Sequence, residues 1–325
     1  MTTPMKPDQR KRAGIGRLVA GNLLVLAVLL LLIFAEGEIY YRYFDDSTDS
    51  FGLTLGTRRW FQRHWHWNNE TVRDNIDYFP LPAPGKRRIS FLGDSFTAGH
   101  GVADVENRFV NILRKSRAAT QEVHALAEIG FDTGDEIAKM RLFFDKGYRT
   151  DVVVLVYILN DISDIIPEWQ ATLGRIEAGH RDENFLVRNS YFINRLYWQV
   201  KASRDPDTAD FYSFVRKAYA GPLWETQKER LRSLADLCKA HQAGFMVVTF
   251  PFLQALGPGY VYADVHAKLG AFWKEIGVPH LDLLATYESY EPARLVVGKH
   301  DAHPNEFAHS RAAAAIDLFL TREMK

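Results

Sequence analysis

The sequence predicts a three-layer α/β sandwich with a mainly parallel sheet, preceded by a transmembrane helix. Three observations carry this. From Arg87 onward, short apolar runs alternate with segments of helical spacing. One of these runs, "DVVVLVYIL" from Asp151, is apolar and β-branched, as a central parallel strand buried on both faces is. Near the N-terminus, "LVAGNLLVLAVLLLLIFA" (18–35) has Asn22 as its only polar residue. The whole chain has 325 residues, 47% hydrophobic and 25% charged, enough to bury a sizeable core. Its formal net charge is zero, so no global basic field points to nucleic acid. Cys238, the single cysteine, excludes an internal disulfide and reads as a small core residue.

The apolar segment is taken first. Its length of about 18 residues reaches ~27 Å at ~1.5 Å per residue, enough for a bilayer core. Lys6, Arg10, Lys11, Arg12 and Arg17 precede it, and Glu36, Glu38, Asp45, Asp46 and Asp49 follow. The positive-inside rule keeps the N-terminus cytoplasmic and sends the rest across the membrane, into the periplasm of a Gram-negative cell. A cleaved signal peptide competes with this reading. The run is long for its h-region, and "IFAEGE" lacks a small-x-small site, which favours an uncleaved signal anchor.

Residues 36–86 read as a juxtamembrane arm and linker. Tyr40, Tyr41 and Tyr43 lie where an interfacial aromatic belt would sit. Trp65 and Trp67 alternate with His64 and His66, which suggests a strand with one aromatic face. With no carboxylate pattern beside them, these histidines read as packing or surface residues. "PLPAPGK" closes the arm as a linker.

The main domain, 87–325, then unfolds element by element. "RISFLG" is a strand, "VENRFVNILRKSRAA" a helix, and "EVHALAE" a strand. "DTGDEIAKMRLFFDKG" is a helix opened by Asp132 or Thr133. After the central strand and a long insertion come the helix "ETQKERLRSLADLCKAHQ" and the strand "GFMVVTFPF". The helix "YADVHAKLGAFWKEIG", the strand "VPHLDLL" and the helix "NEFAHSRAAAAIDLFLTREM" complete the chain. Ligands of such sheets bind at the carboxyl ends of the strands. There the sequence puts Ser95, Gly130, Asn160 and, before the last helix, His300, Asp301 and His303. A hydroxyl nucleophile, a base, an acid and amide donors are the kit of serine acyl transfer.

The blocks "GDSFTAGHGV", "AEIGFDTGDE", "YILND" and "DAHPNEFAHS" resemble, in order, those of the SGNH hydrolases, or GDSL esterase/lipase superfamily. The chain is similar to a membrane-anchored bacterial-type member. The resemblance implies a flavodoxin-like sandwich and ester hydrolysis with no metal and no cofactor. It implies Ser95 as nucleophile, His303 as base and Asp301 as the acid that orients it. The oxyanion hole would be the N–H of Ser95, the N–H of Gly130 and the side-chain amide of Asn160. Two departures stand out. Ile158 occupies a position that is usually glycine in the third block. His300, not an acid, stands three before His303, while Asp301 stands two before it.

Other readings bear on single residues. Ser95 could simply cap the next helix, and the loop could cradle phosphate, although it lacks the Walker lysine. Asp94 and Asp161 read as braces of the turns that aim Ser95 and Asn160. His100 and His309 read as surface residues. The insertion, at about 162–222, carries Trp169, Phe185, Tyr191, Phe192, Tyr197, Trp198, Phe211, Tyr212 and Tyr219. Arg175, Arg181, Arg188, Arg195, Arg204 and Arg216 are interspersed. It is either a cap beside the site or a helical subdomain with its own core. The leading function is a membrane-anchored serine esterase acting on small acyl esters, lipids or acylated glycans. The alternatives are an O-acyltransferase or deacetylase on a cell-surface polysaccharide, and a non-catalytic binding or assembly component.

Overall fold

The computed structural model describes residues 7–181, 184–202 and 206–325, with side chains from 16 onward except 177–183 and 202–212. Lys6 and Arg204 lie outside the described residues, as do the side chains of Arg10, Lys11, Arg12, Arg181, Phe211 and Tyr212.

Helix α1 (Pro7–Tyr43) is longer than the apolar run alone. Its segment Gly16–Tyr43 has a mean hydropathy of up to 2.9 and is long and apolar enough to cross a membrane. The arm therefore begins as a continuation of this helix, and Tyr41 stacks on Phe192 with ring centroids 5.9 Å apart. Helix α2 (Leu55–His64) follows and ends just before Trp65, and the strand expected around Trp65 and Trp67 is reduced to one antiparallel bridge, Trp67 with Arg73. Thr54 caps α2 by accepting the N–H of Thr57 at 3.1 Å, and the chain leaves the helix at Trp65 in an extended conformation. Trp60 and Trp65 are buried, whereas Trp67 is exposed. His64 binds Asp46 at 2.5 Å.

The arm is also tied to the main domain. The buried Arg73 guanidinium donates to the carbonyls of Val102 at 2.6 Å and His64 at 3.1 Å. Asp74 receives Arg114 at 2.8 Å and Arg108 at 2.9 Å. Such charges stay buried because each meets a partner of opposite sign or several carbonyls.

Strands β1 (Arg87–Gly93), β2 (Gln121–Ala127), β3 (Val152–Ile158), β4 (Gly244–Phe250) and β5 (His280–Asp282) form one parallel sheet in the order β2-β1-β3-β4-β5. Every residue of β3 is buried, as the apolar run anticipates for a central strand. Helices α3 (Ser95–Ala98), α4 (Phe109–Arg117) and α5 (Thr133–Asp145) follow the first two strands. Asp132, not Thr133, caps α5, accepting the N–H of Gly134 at 2.9 Å. The insertion folds as α6 (Pro167–Arg181), α7 (Phe185–Asn189), α8 (Tyr191–Ala202) and α9 (Pro206–Ala220). Its α8 lies on α1, with Phe192 against Phe34 and Tyr41. Helices α10 (Leu223–Ala240) and α11 (Ala263–Glu275), the short turns α12 (Leu284–Tyr287) and α13 (Pro292–Leu295), and α14 (Glu306–Glu323) complete the layers. Cys238 sits in the core, and burial pushes its thiol up to about 12.

The segment before α14 is an antiparallel hairpin, β6 (Val296–Gly298) and β7 (Asp301–Pro304), which the sequence reading treats as a loop. Sheet order reverses between β1 and β3. The crevice at that switch point is where such sheets hold ligands.

Candidate active site

Residues beyond β1 turn sharply into α3, and Asp94 caps it by accepting the N–H of Phe96 at 2.9 Å. Ser95, the first residue of α3, is thereby set at the crevice. From the far end of the chain, β7 brings His303 to it. His303 Nε2 lies 2.9 Å from Ser95 Oγ, and His303 Nδ1 lies 2.6 Å from Asp301 Oδ1. The backbone N–H of His303 also donates to Asp301 Oδ1 at 3.1 Å. These three side chains form one continuous hydrogen-bonded chain, in the order that a nucleophile, a base and an acid require. His300 is not part of it. Its carbonyl accepts the N–H of Ser50 at 3.0 Å.

The remaining expected residues line the same cavity of about 240 Å³: Gly130 after β2 and Asn160 after β3, together with Ser95 and His303. Gly130 adopts φ +78°, a conformation that favours glycine, and an added Cβ there would meet only open space. Asp161 accepts the N–H of Ile158 at 2.8 Å and so braces the turn that carries Asn160. Ile158 is fully buried at the end of β3, so its side chain fills core rather than the oxyanion region. No protein group among the described residues takes the N–H of Ser95, the N–H of Gly130 or the amide of Asn160. The insertion reaches this cavity through Trp169, Gln170 and Leu173 of α6.

The electrostatics hold the acid anionic and make the histidine beside it more basic. Burial disfavours imidazolium at His303, yet the Asp301 carboxylate more than offsets it and raises the group above its ordinary value. Burial opposes ionisation of Asp301, but His303, His100 and Thr48 together hold it well below the usual carboxylate range. Beneath the nucleophile the carboxyls behave in the opposite way. Burial pushes Asp94 up to about 6. Burial and mutual repulsion push Glu136 and Asp161 well above their ordinary values. Asp132, buried and hydrogen-bonded to Asp164, rises to about 7.

The expectation that His100 and His309 lie on the surface is wrong. Both are buried. His309 accepts the N–H of Phe109 at 3.3 Å, and burial lowers it to about 3. His100 stacks on His303 with ring centroids 4.1 Å apart and planes 5° from parallel. Trp60 covers its other face at 5.9 Å. Burial, aided by the charge of His303, lowers His100 to about 3, so it stays neutral.

His100, Asp301 and His303 place their ligating atoms within 4.8 Å of one another. Their geometry does not fit a metal. The lone pairs of parallel stacked rings point along parallel planes, whereas one ion must lie ~2.0–2.1 Å from both nitrogens. Both nitrogens of His303 are already directed at Ser95 and Asp301.

No family model and no curated protein matches the chain. Among solved structures it is similar to a member of the lipolytic G-D-S-L family from Veillonella parvula. Identity is 15% over 73% of this chain and 99% of that one, with a TM-score of 0.45. It is similar to the psychrotrophic esterase EstA from Pseudoalteromonas sp., at 13% identity over 74% and 99%, TM-score 0.45. It is also similar to the lipase/acylhydrolase from Enterococcus faecalis, at 15% identity over 72% and 95%, TM-score 0.43. At such identities and scores the likeness does not decide the chemistry of this chain. Its own side chains do.

Proposed function

We propose that this chain is a membrane-anchored serine esterase of the SGNH type, hydrolysing carboxylic (acyl or acetyl) esters through an acyl-enzyme. The observation that carries this is the hydrogen-bonded chain Ser95–His303–Asp301, at 2.9 and 2.6 Å, beside three amide donors that no group among the described residues uses. The length and hydropathy of α1 support an anchor, and the charges around 18–35 support a catalytic domain outside the cytoplasm.

Each step follows from the geometry. As Ser95 Oγ bonds to the ester carbonyl carbon, its proton passes to His303 Nε2. The carbonyl π pair moves onto oxygen, where the N–H groups of Ser95 and Gly130 and the amide of Asn160 receive it. The intermediate collapses, the alkoxide leaves with the proton from His303, and the acyl group stays on Ser95. Water then attacks the acyl carbon while His303 takes its proton. Collapse releases the acid and returns that proton to Ser95. Throughout, Asp301 fixes the tautomer of His303 and stabilises the imidazolium.

The test is turnover of p-nitrophenyl acetate by the full-length protein in detergent. Wild type releases nitrophenolate and Ser95→Ala does not. Equal rates for the two proteins would overturn the reading.

A further inference from the structure

The cavity does not end at Ser95. A second lobe of about 440 Å³ adjoins it, and Ser50, Phe51, Gln254 and Ala302 line both. That volume falls within the ~300–1,000 Å³ of small-molecule sites. Three parts of the fold meet there: the strap that follows α1, helix α8, and the turn between β6 and β7.

Two cations and two carboxylates line the lobe, and among the described residues they do not pair with one another. Arg195 from α8 and Lys299 from the turn line it, and neither makes a hydrogen bond or ion pair with a described residue. Arg195 Nε is enclosed without a partner, and so is Gln254 Oε1. Asp49 is near, but its oxygens are filled by the N–H groups of Phe51, Leu53 and Thr54 and the hydroxyls of Thr54 and Thr57. Asp301 is likewise engaged, by His303 and Thr48. Partial burial lowers His300, and the charges of Arg195 and Lys299 lower it further, so both cations bear on the same space. An enclosed donor without an acceptor is costly, and a ligand that supplies one removes that cost.

We propose that this lobe binds the anionic part of the ester substrate, a glycan bearing carboxylates, whose acylated hydroxyl reaches Ser95 while a neighbouring sugar acid lies between Arg195 and Lys299. The inference rests on the esterase reading above. The guanidinium fork matches a carboxylate. Gln254 Oε1 accepts a sugar hydroxyl, and Phe51 and Trp198 give the ring apolar walls. A phospholipid shares the anionic chemistry. It offers no sugar hydroxyl to the enclosed Gln254 Oε1, and its binding is an outcome of the test below.

Calorimetric titration of the full-length protein in detergent tests this without requiring turnover. The probes are an unacylated uronate tetrasaccharide and its neutral methyl-esterified counterpart. The charged probe should bind at least about tenfold more tightly, and its advantage should shrink as salt rises. Arg195→Gln with Lys299→Gln should bring the two probes level, while Arg195→Lys should keep most of the preference. Equal affinities in wild type, or a preference that survives the double substitution, would overturn the proposal. So would binding of anionic phospholipid nanodiscs but not of the tetrasaccharide. Failure of the esterase reading shows separately, as absent turnover of p-nitrophenyl acetate by a protein that still prefers the charged probe.

Discussion

Thr48 donates a hydrogen bond from Oγ1 to Oδ2 of Asp301, so the carboxylate proposed as the acid of the triad is gripped from two sides, with His303 on Oδ1. Thr48 lies just beyond α1, which ends at Tyr43. The same strap donates the N–H of Ser50 to the His300 carbonyl at 3.0 Å, and Ser50 Oγ accepts the N–H of Ala302 at 2.8 Å. Helix α1, long and apolar enough to cross a membrane, is thus continuous with the segment that holds Asp301.

This makes Thr48 a positioning residue with a signature of its own. Without its hydroxyl, Asp301 concentrates its charge on His303 and favours imidazolium more strongly. Thr48→Val should therefore move the acid limb of the kcat profile to higher pH and lower the plateau by roughly three- to tenfold, about one lost hydrogen bond. Thr48→Ser should restore both. A lower plateau with an unmoved limb would reduce Thr48 to a structural role.

The pH dependence of the parent protein follows from the same pair. The base must be neutral to accept the Ser95 proton, and Asp301 holds its pKa above the ordinary histidine value. Activity should rise with pH through that raised value and level off on the alkaline side. Asp301→Asn should cost on the order of 10⁴ in kcat by losing the tautomer control. Asn160→Ala should cost about 10²–10³, the loss typical of one oxyanion donor. A loss below tenfold would remove Asn160 from the oxyanion hole.

Much of the site is legible in the sequence because parallel topology gathers strand ends at one edge. Ser95, Gly130 and Asn160 need only that rule, and His303 needs the last block. Thr48 is not legible: its bond to Asp301 spans 253 positions, and nothing local to "DDSTDS" announces it. His100 was misread for the same reason, since Trp60 and Phe61 of α2 enclose it from outside the domain's own strand–helix pattern. The alternation of Trp65 and Trp67 suggested a strand. The extended backbone is there, but it pairs at one position only, Trp67 with Arg73, because helix α2, capped by Thr54, runs up to His64 and leaves too short a segment for a strand.

The buried carboxyls that are held protonated, Glu136 foremost, contribute stability that falls with rising pH. Both oxygens of Glu136 lack hydrogen-bond partners, and its folded pKa lies well above 4.5. The folded state therefore holds this proton longer than the unfolded chain does. The associated stability is full below the unfolded value and fades as pH climbs toward the folded one. Glu136→Gln removes that dependence. Its melting temperature should gain on wild type between pH 5 and pH 8. A constant gap, or one that narrows, would contradict the assignment.

Topology has its own test. Basic residues precede the apolar run and acids follow it, so the C-terminus is expected outside the cytoplasm. Alkaline phosphatase, active only there, should work when fused after Lys325, and a cytoplasm-dependent fluorescent protein should stay dark. The reverse pattern would invert the anchor.

The most direct measurement is covalent. Full-length protein in detergent is treated with a fluorophosphonate, and the adduct is located by peptide mass spectrometry. A single adduct on Ser95 is expected, formed faster as pH rises through the limb set by His303 and lost in His303→Ala. A folded protein that takes no label on Ser95, or labels equally fast without His303, would contradict the assignment of Ser95 as an activated nucleophile.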